Sequence, residues 1–382
     1  MVGMPPSSVI AGSLLALSLG ALPSCGPGAG GGAGPVARAP QALPATPVLR
    51  WSFQAGKSIV SSPAVEEGLV VFGCDDGNVT CLDALTGEKH WSFQTGDVVE
   101  ARPLIRDGSV YIGSSNGVFY ALELEHGTLR WKQTTDDKIL GGASFLETQG
   151  EARVVVGSYD SNLYCFAASD GAKRWMYSTE SYINGTPAVD GGWIVFGGCD
   201  SALHVVSAAD GTGLSRLELG DDAHVAGSVT LSGNRAYFGH YGNAFVCVDL
   251  EKNSVLWSFP DPKQPFFSSP ALADGRVVFG GRNKYLHCVK ADNGELLWKF
   301  ATRRKVDGSP VIVGDAVVFG SGDGRLYVLG LADGSERWSA DLGCELGGSV
   351  AVADGWIYAA GLDGRVVGYG PPATTAKAGE NG

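Results

Sequence analysis

Few side chains in this sequence are spaced for chemistry. Eight cysteines are present and no two are adjacent. Cys81, Cys165, Cys247 and Cys288 occupy equivalent places in the chain and read as buried thiols. Cys74, Cys199 and Cys344 fall in loops, and a Cys74–Cys344 disulfide is an open expectation. His224 and His240 are spaced unlike any strong zinc motif. The Asp75-Asp76-Gly77-Asn78 turn resembles a calcium loop but lacks the full ligand set. No serine-nucleophile elbow, phosphate loop or zinc-ligand run occurs. The expectation is therefore no catalytic residues and no metal, with whatever function exists expressed through binding.

Two groups of side chains suit binding. Arg303-Arg304-Lys305 is the densest basic run in a chain of net charge −12, and could attract an anion or an acidic partner. Phe266-Phe267 follows the Pro-rich stretch Asp261-Pro262-Lys263-Gln264-Pro265 and would be a contact hot spot if exposed, or core packing if buried. The acidic total repels phosphate backbones, so nucleic acid is excluded as a partner class.

The elements that position these groups come from a repeat. Tryptophans fall at Trp51, Trp91, Trp131, Trp175, Trp257, Trp298 and Trp338, with gaps of 40, 40, 44, 82, 41 and 40. The long gap is two periods with one Trp missing near Arg216, so there are eight marks. One stretch aligns through all eight copies, from FGCDDGNVTCLD at Phe72 to AAGLDGRVVGYG at Ala359. Within it a large apolar residue is followed two positions on by a small one, as in Phe119 and Ala121, which is one face of a strand. Each period reads as four short strands, A to D, joined by Gly/Asp turns. Four strands per period of about 41 residues is a β-propeller signature. The predicted fold is all-β, an eight-bladed propeller of four-stranded blades.

The phase of the repeat predicts how the ring closes. Strands A to C occur eight times, and the last copy stops after strand C, at Tyr369. The missing D strand is at the other end, Leu49-Arg50-Trp51-Ser52-Phe53, so the last blade is closed by the N-terminal strand and no sheet edge is left open. The repeated tryptophans read as structural rings between blades.

Because strands alternate in direction, the D-to-A and B-to-C loops emerge on one face. That face gathers Glu100, Arg102, Lys138, Asn184, His224, His240, Phe266, Phe267, Arg282, Arg303, Arg304, Lys305, Asp307 and Glu345, and it is the expected partner-binding face. Ahead of the repeat, residues 1–24 carry no charge and hold an apolar run at 9–22, which reads as a signal peptide. Leu22-Pro23-Ser24-Cys25 resembles a lipobox, with Cys25 as the lipidated residue. Residues 25–48 read as a flexible Gly/Pro/Ala tether, 49–370 as the propeller and 371–382 as a loose tail. A monomeric ring, attached to membrane through the lipid only, is expected in the cell envelope: an outer-membrane lipoprotein facing the periplasm, or a secreted protein.

The run from Gly308-Ser309-Pro310 to Trp338 resembles the PQQ-like, quinoprotein-type propeller repeat, and the likeness extends over residues 49–370. That resemblance implies the eight-bladed ring and two branches of function. BamB-type lipoproteins, which the anchor, tether and length are similar to, bind no quinone and serve as scaffolds in assembling outer-membrane β-barrels. Quinoprotein dehydrogenases bind PQQ and calcium, and the alcohol-oxidising ones have an adjacent cysteine pair that this chain lacks. The leading expectation is a non-enzymatic envelope scaffold without cofactor, with envelope proteins and the barrel-assembly machinery as partners. The alternatives are a PQQ-dependent or other small-ligand enzyme, and a sensor or carbohydrate-binding domain.

Overall fold

The computed structural model describes residues 42–372. The segments expected to be a signal peptide and most of a tether, with Cys25, and the tail from 373 lie outside the described residues. Eight antiparallel sheets of four strands each follow one another along the chain. Blade 1 spans residues 64–94 and blade 7 residues 311–341. Blade 8 combines strands Ala351–Ala353, Trp356–Ala360 and Arg365–Gly370 with Val48–Gln54 from the other end of the chain. That N-terminal strand pairs antiparallel with the last one, Val48 opposite Gly370 and Gln54 opposite Arg365. No helix among the described residues is long and apolar enough to cross a membrane.

There is no single core. Eight buried apolar clusters occur, each shared by two neighbouring blades. The large–small alternation read from strand C makes this possible. Leu163 and Cys165 face blade 4, where they meet Phe196 and Val206. Burial raises the thiols of Cys81, Cys165 and Cys288 to about 12 and that of Cys247 to about 11. Cys74 and Cys344 are both free thiols, so the anticipated disulfide is corrected. Cys74 Sγ is instead turned to the carbonyls of Lys57 and Ser58.

The tryptophans join blades in two ways at once. Trp51, Trp91, Trp131, Trp175, Trp257 and Trp298 each donate Nε1–H to a carbonyl at the end of strand C in the next blade, at 2.7–3.3 Å. The same indole lies against a glycine of the next blade's C–D turn. Gly87, Gly127, Gly171, Gly211, Gly294 and Gly334 all have φ between 68° and 74°, and a Cβ there would stand 2.5–2.6 Å from the ring. Where Arg216 replaces Trp, the corresponding turn residue is Asn253 at φ 49°, and it donates to the Arg216 carbonyl. Trp338 is half-buried and meets Tyr369 edge-on at a centroid distance of 5.2 Å.

Candidate functional site

The loop face is built from eight pairs of loops. In every blade, one backbone N–H of the B–C loop donates to a carbonyl of the D–A loop that leads into that blade. The pairs are Asp75/Ser58, Ser115/Val98, Tyr159/Lys138, Cys199/Tyr182, Tyr241/His224, Arg282/Pro265, Gly322/Lys305 and Leu362/Glu345. The pairing fixes two neighbouring side chains per blade on a rigid rim.

The residue after each D–A member is an apolar plug: Ile59, Val99, Ile139, Ile183, Val225, Phe266, Val306 and Leu346, all buried. Each of the last seven seats on a glycine at or next to the end of strand B of the preceding blade. A Cβ at Gly239 would come within 2.5 Å of Phe266, and one at Gly157 within 2.2 Å of Ile183. Phe266 is therefore fully buried against Phe259 and Phe279 and leaves the proposed contact face. Phe267, one residue on, stays half-exposed.

Around blades 3 to 6 the rim carries aromatic side chains. Tyr159 and Tyr182 stack at 4.9 Å, with the Lys138 ammonium 5.8 Å from the Tyr159 ring. Tyr241 meets Phe267 at 4.4 Å, and the Arg282 guanidinium covers Phe267 at 4.1 Å. Tyr182 and Tyr241 are each 48% exposed although each ring packs against another aromatic. Tyr159, Tyr182 and Tyr241 were not among the expected face residues. The sequence does hold a signal for two of them: the B–C column Asp75, Ser115, Tyr159, Cys199, Tyr241, Arg282, Gly322, Leu362 has no consensus and repeats only tyrosine, inside a repeat that is otherwise consistent.

The basic run is matched rather than open. Arg282 makes a two-pronged pair with Asp307. Lys305 pairs with both Asp307 and Glu345, at 2.9 and 3.4 Å, and Arg304 with Glu345 at 3.3 Å. The hydrogen bond to Asp307 raises the Lys305 pKa. Arg303 is exposed, its backbone N–H bonded to Asp323. His224 lies near Ser201 Oγ at 3.3 Å. His240 is buried, its Nδ1 has no partner among the described residues, and burial lowers its pKa. No group of three or more His, Cys, Asp or Glu is placed to hold a metal among the described residues.

Inside the rim lies the central channel, a cavity of about 720 Å³ lined by the A strands and the segments that lead into them. Glu100, Arg102, Asn184 and Phe267 all line it. Burial and the Asp75 charge raise the Glu100 pKa. Deeper in, a ring of hydroxyls closes the blades on one another. The amides of Thr186, Ser228, Ser269, Ser309 and Ser349 donate to the hydroxyls of Ser228, Ser269, Ser309, Ser349 and Ser62, each in the next blade, at 2.9–3.1 Å.

The comparisons agree with this architecture. Among solved structures, BamB from Moraxella catarrhalis matches with TM-score 0.71 at 19% identity, over 85% of this chain and all (100%) of that one. The computationally designed Ika8 protein matches at TM-score 0.71 and 17% identity, over 83% of this chain and 97% of that one. A quinohemoprotein alcohol dehydrogenase from Pseudomonas putida matches at TM-score 0.71 and 14% identity, over 85% of this chain and 76% of that one. At such identities the likeness speaks for the fold alone. No curated protein matches by sequence. The family described as outer membrane protein assembly factor BamB matches in overlapping stretches, residues 42–152, 138–212, 199–342 and 282–371. With its repeat matched from residue 42 to residue 371, the chain belongs to that BamB family.

Proposed function

We propose that this chain is a non-enzymatic scaffold of the cell envelope that docks protein partners of the outer-membrane barrel-assembly machinery on its loop face, tethered to the outer membrane through a lipid on Cys25. The observation that carries the reading is the rim arc of Tyr159, Tyr182, Tyr241 and Phe267, flanked by Lys138 and Arg282. Half-exposed aromatic rings and arginine are the residue types that anchor protein interfaces. Here they are held by backbone pairing, so little side-chain or loop freedom is lost on docking. Membership of the BamB family supports the choice of partner class.

The test is crosslinking on intact envelopes followed by mass spectrometry, with the native chain and a Tyr182→Ser/Tyr241→Ser variant. The native chain is expected to recover a barrel-assembly protein through lysines of the loop face, Lys138 first. The variant, whose altered side chains are exposed, should keep its unfolding midpoint and lose most of that recovery. Equal recovery by both would move the interface off this arc. Recovery of no barrel-assembly protein by the native chain would sink the scaffold reading.

A further inference from the structure

The hydroxyl ring of the channel is interrupted in two adjacent blades. The ring position is Ser62 in blade 1, Thr186 in blade 4 and serine in blades 5 to 8, but Arg102 in blade 2 and Gly142 in blade 3. The amides of Ser62 and Arg102 therefore have no hydroxyl of the next blade to bind. The two substitutions fit each other. An arginine is too long to make the clasp and extends into the channel, where it lines the cavity. Glycine beside it leaves the space free: a Cβ at residue 142 would fall 2.7 Å from Thr186 Oγ1 and 3.6 Å from Arg102 Cβ.

Arg102 is also uncompensated. Among the described residues it takes part in no hydrogen bond or ion pair. Its side chain is exposed to the channel, and the surrounding channel wall lowers its pKa. Glu100 shares the cavity, but the charges acting on it are those of Asp75 and Lys138. The chain carries 40 acidic residues against 28 basic ones, and the rim arginines Arg282 and Arg304 are paired with Asp307 and Glu345. A guanidinium without a protein counter-ion, facing the channel of such a protein, is free to bind an anion.

We infer that the gap in the ring at blades 2 and 3 is a binding site for a small soluble carboxylic acid, gripped by the Arg102 guanidinium and the free amides of Ser62 and Arg102 within the central channel. The planar fork of arginine matches the two oxygens of a carboxylate. A cavity of about 720 Å³ is within the range of small-ligand sites. Glu66 and Glu100 on the channel wall and the net charge of −12 disfavour polyanions such as a tricarboxylate, which leaves mono- and dicarboxylates as the class, to be tested against phosphate. The inference rests on the channel and is independent of what docks on the rim.

The experiment is isothermal titration calorimetry of the full chain with succinate, and with inorganic phosphate for comparison. It is repeated on Arg102→Ser, which restores the residue found elsewhere in the ring, and on Arg102→Lys, which keeps the charge without the fork. Saturable succinate binding is expected, weaker by about tenfold or more in Arg102→Ser and intermediate in Arg102→Lys, with phosphate weaker than succinate. The unfolding temperature of Arg102→Ser should be unchanged or higher. No saturable succinate binding, or equal binding by Arg102→Ser, would overturn the site. Phosphate binding as tight as succinate would overturn the ligand class, and a marked fall in the Arg102→Ser unfolding temperature would assign Arg102 to the fold instead.

Discussion

Replacing Gly171 by alanine should destabilise the ring by about 2–5 kcal/mol, from two costs that can be separated. The residue has φ 73°, a region that costs an L-residue roughly 1–2 kcal/mol. The new Cβ would also stand 2.6 Å from Trp131 Cε3. That indole cannot swing aside without giving up its 2.9 Å hydrogen bond to the Ala168 carbonyl, and forcing an extra carbon into a packed site costs roughly 1–3 kcal/mol. Gly68 provides the control. It has φ 77° with nothing within 4 Å of a Cβ, so Gly68→Ala carries the backbone cost alone. Urea midpoints of both variants, followed by tryptophan fluorescence and by circular dichroism, read the difference. Gly171→Ala should have the lower midpoint by a margin worth about 1–3 kcal/mol. If both variants unfold at the same midpoint, the indole is not held as described, and the account of how blades are joined is wrong.

Other consequences can be measured with similar variants. Trp51→Ala should cost roughly 3–5 kcal/mol in a urea titration, because it empties the seam between blades 8 and 1. Trp338→Ala should cost clearly less, since that ring is half-buried. His287 is buried with Nδ1 unpartnered, and burial, reinforced by Lys299, lowers its pKa to about 4. Its folded value is below the unfolded one, so above pH 6.5 it has no effect, and stability falls as pH drops from about 6.5 to about 4 while only the unfolded chain takes up the proton. His287→Gln should flatten that limb by about one proton, and an unchanged slope would contradict the assignment. Thiol titration of the folded protein should label Cys199 and Cys344, the two partly exposed cysteines among those described, well before the buried five. Fast labelling of Cys81 or Cys165 would mean the blades part more readily than their packing implies.

What could be read from the sequence divides along the columns of the repeat. Strand order, blade number and the pairing of Leu49–Phe53 with the last strand were all legible, because every blade must solve the same packing problem and so repeats its answer. The place of the tryptophans between blades was legible for the same reason, and the Asn253 turn opposite Arg216 follows once Trp and Gly are seen as one joint. Phe266 shows the limit. Taken as one of two adjacent aromatics it looked like a contact residue, whereas its column, Ile59 through Leu346, is apolar throughout and marks it as a plug. Tyr159 and Tyr241 escaped notice for the opposite reason, since they occupy a column with no consensus. Side chains free of the packing problem leave no periodic trace, and a function written in them has to be found where the copies disagree. The pairing of Arg304 and Lys305 with Glu345 was not legible, because it depends on loops brought together from two blades.

The pairing of Val48–Gln54 with Arg365–Gly370 changes how such a repeat comes apart. An open array of repeats can shed units from its ends one at a time, each loss breaking a single interface. A closed ring has no terminal unit, and removing any blade breaks two. Partial unfolding is thereby suppressed until the seam yields, and after that the array behaves as an open one with two exposed sheet edges. The durability of the whole ring against proteases is then set by the opening rate of a single strand, and the residues that govern it come from opposite ends of the propeller sequence.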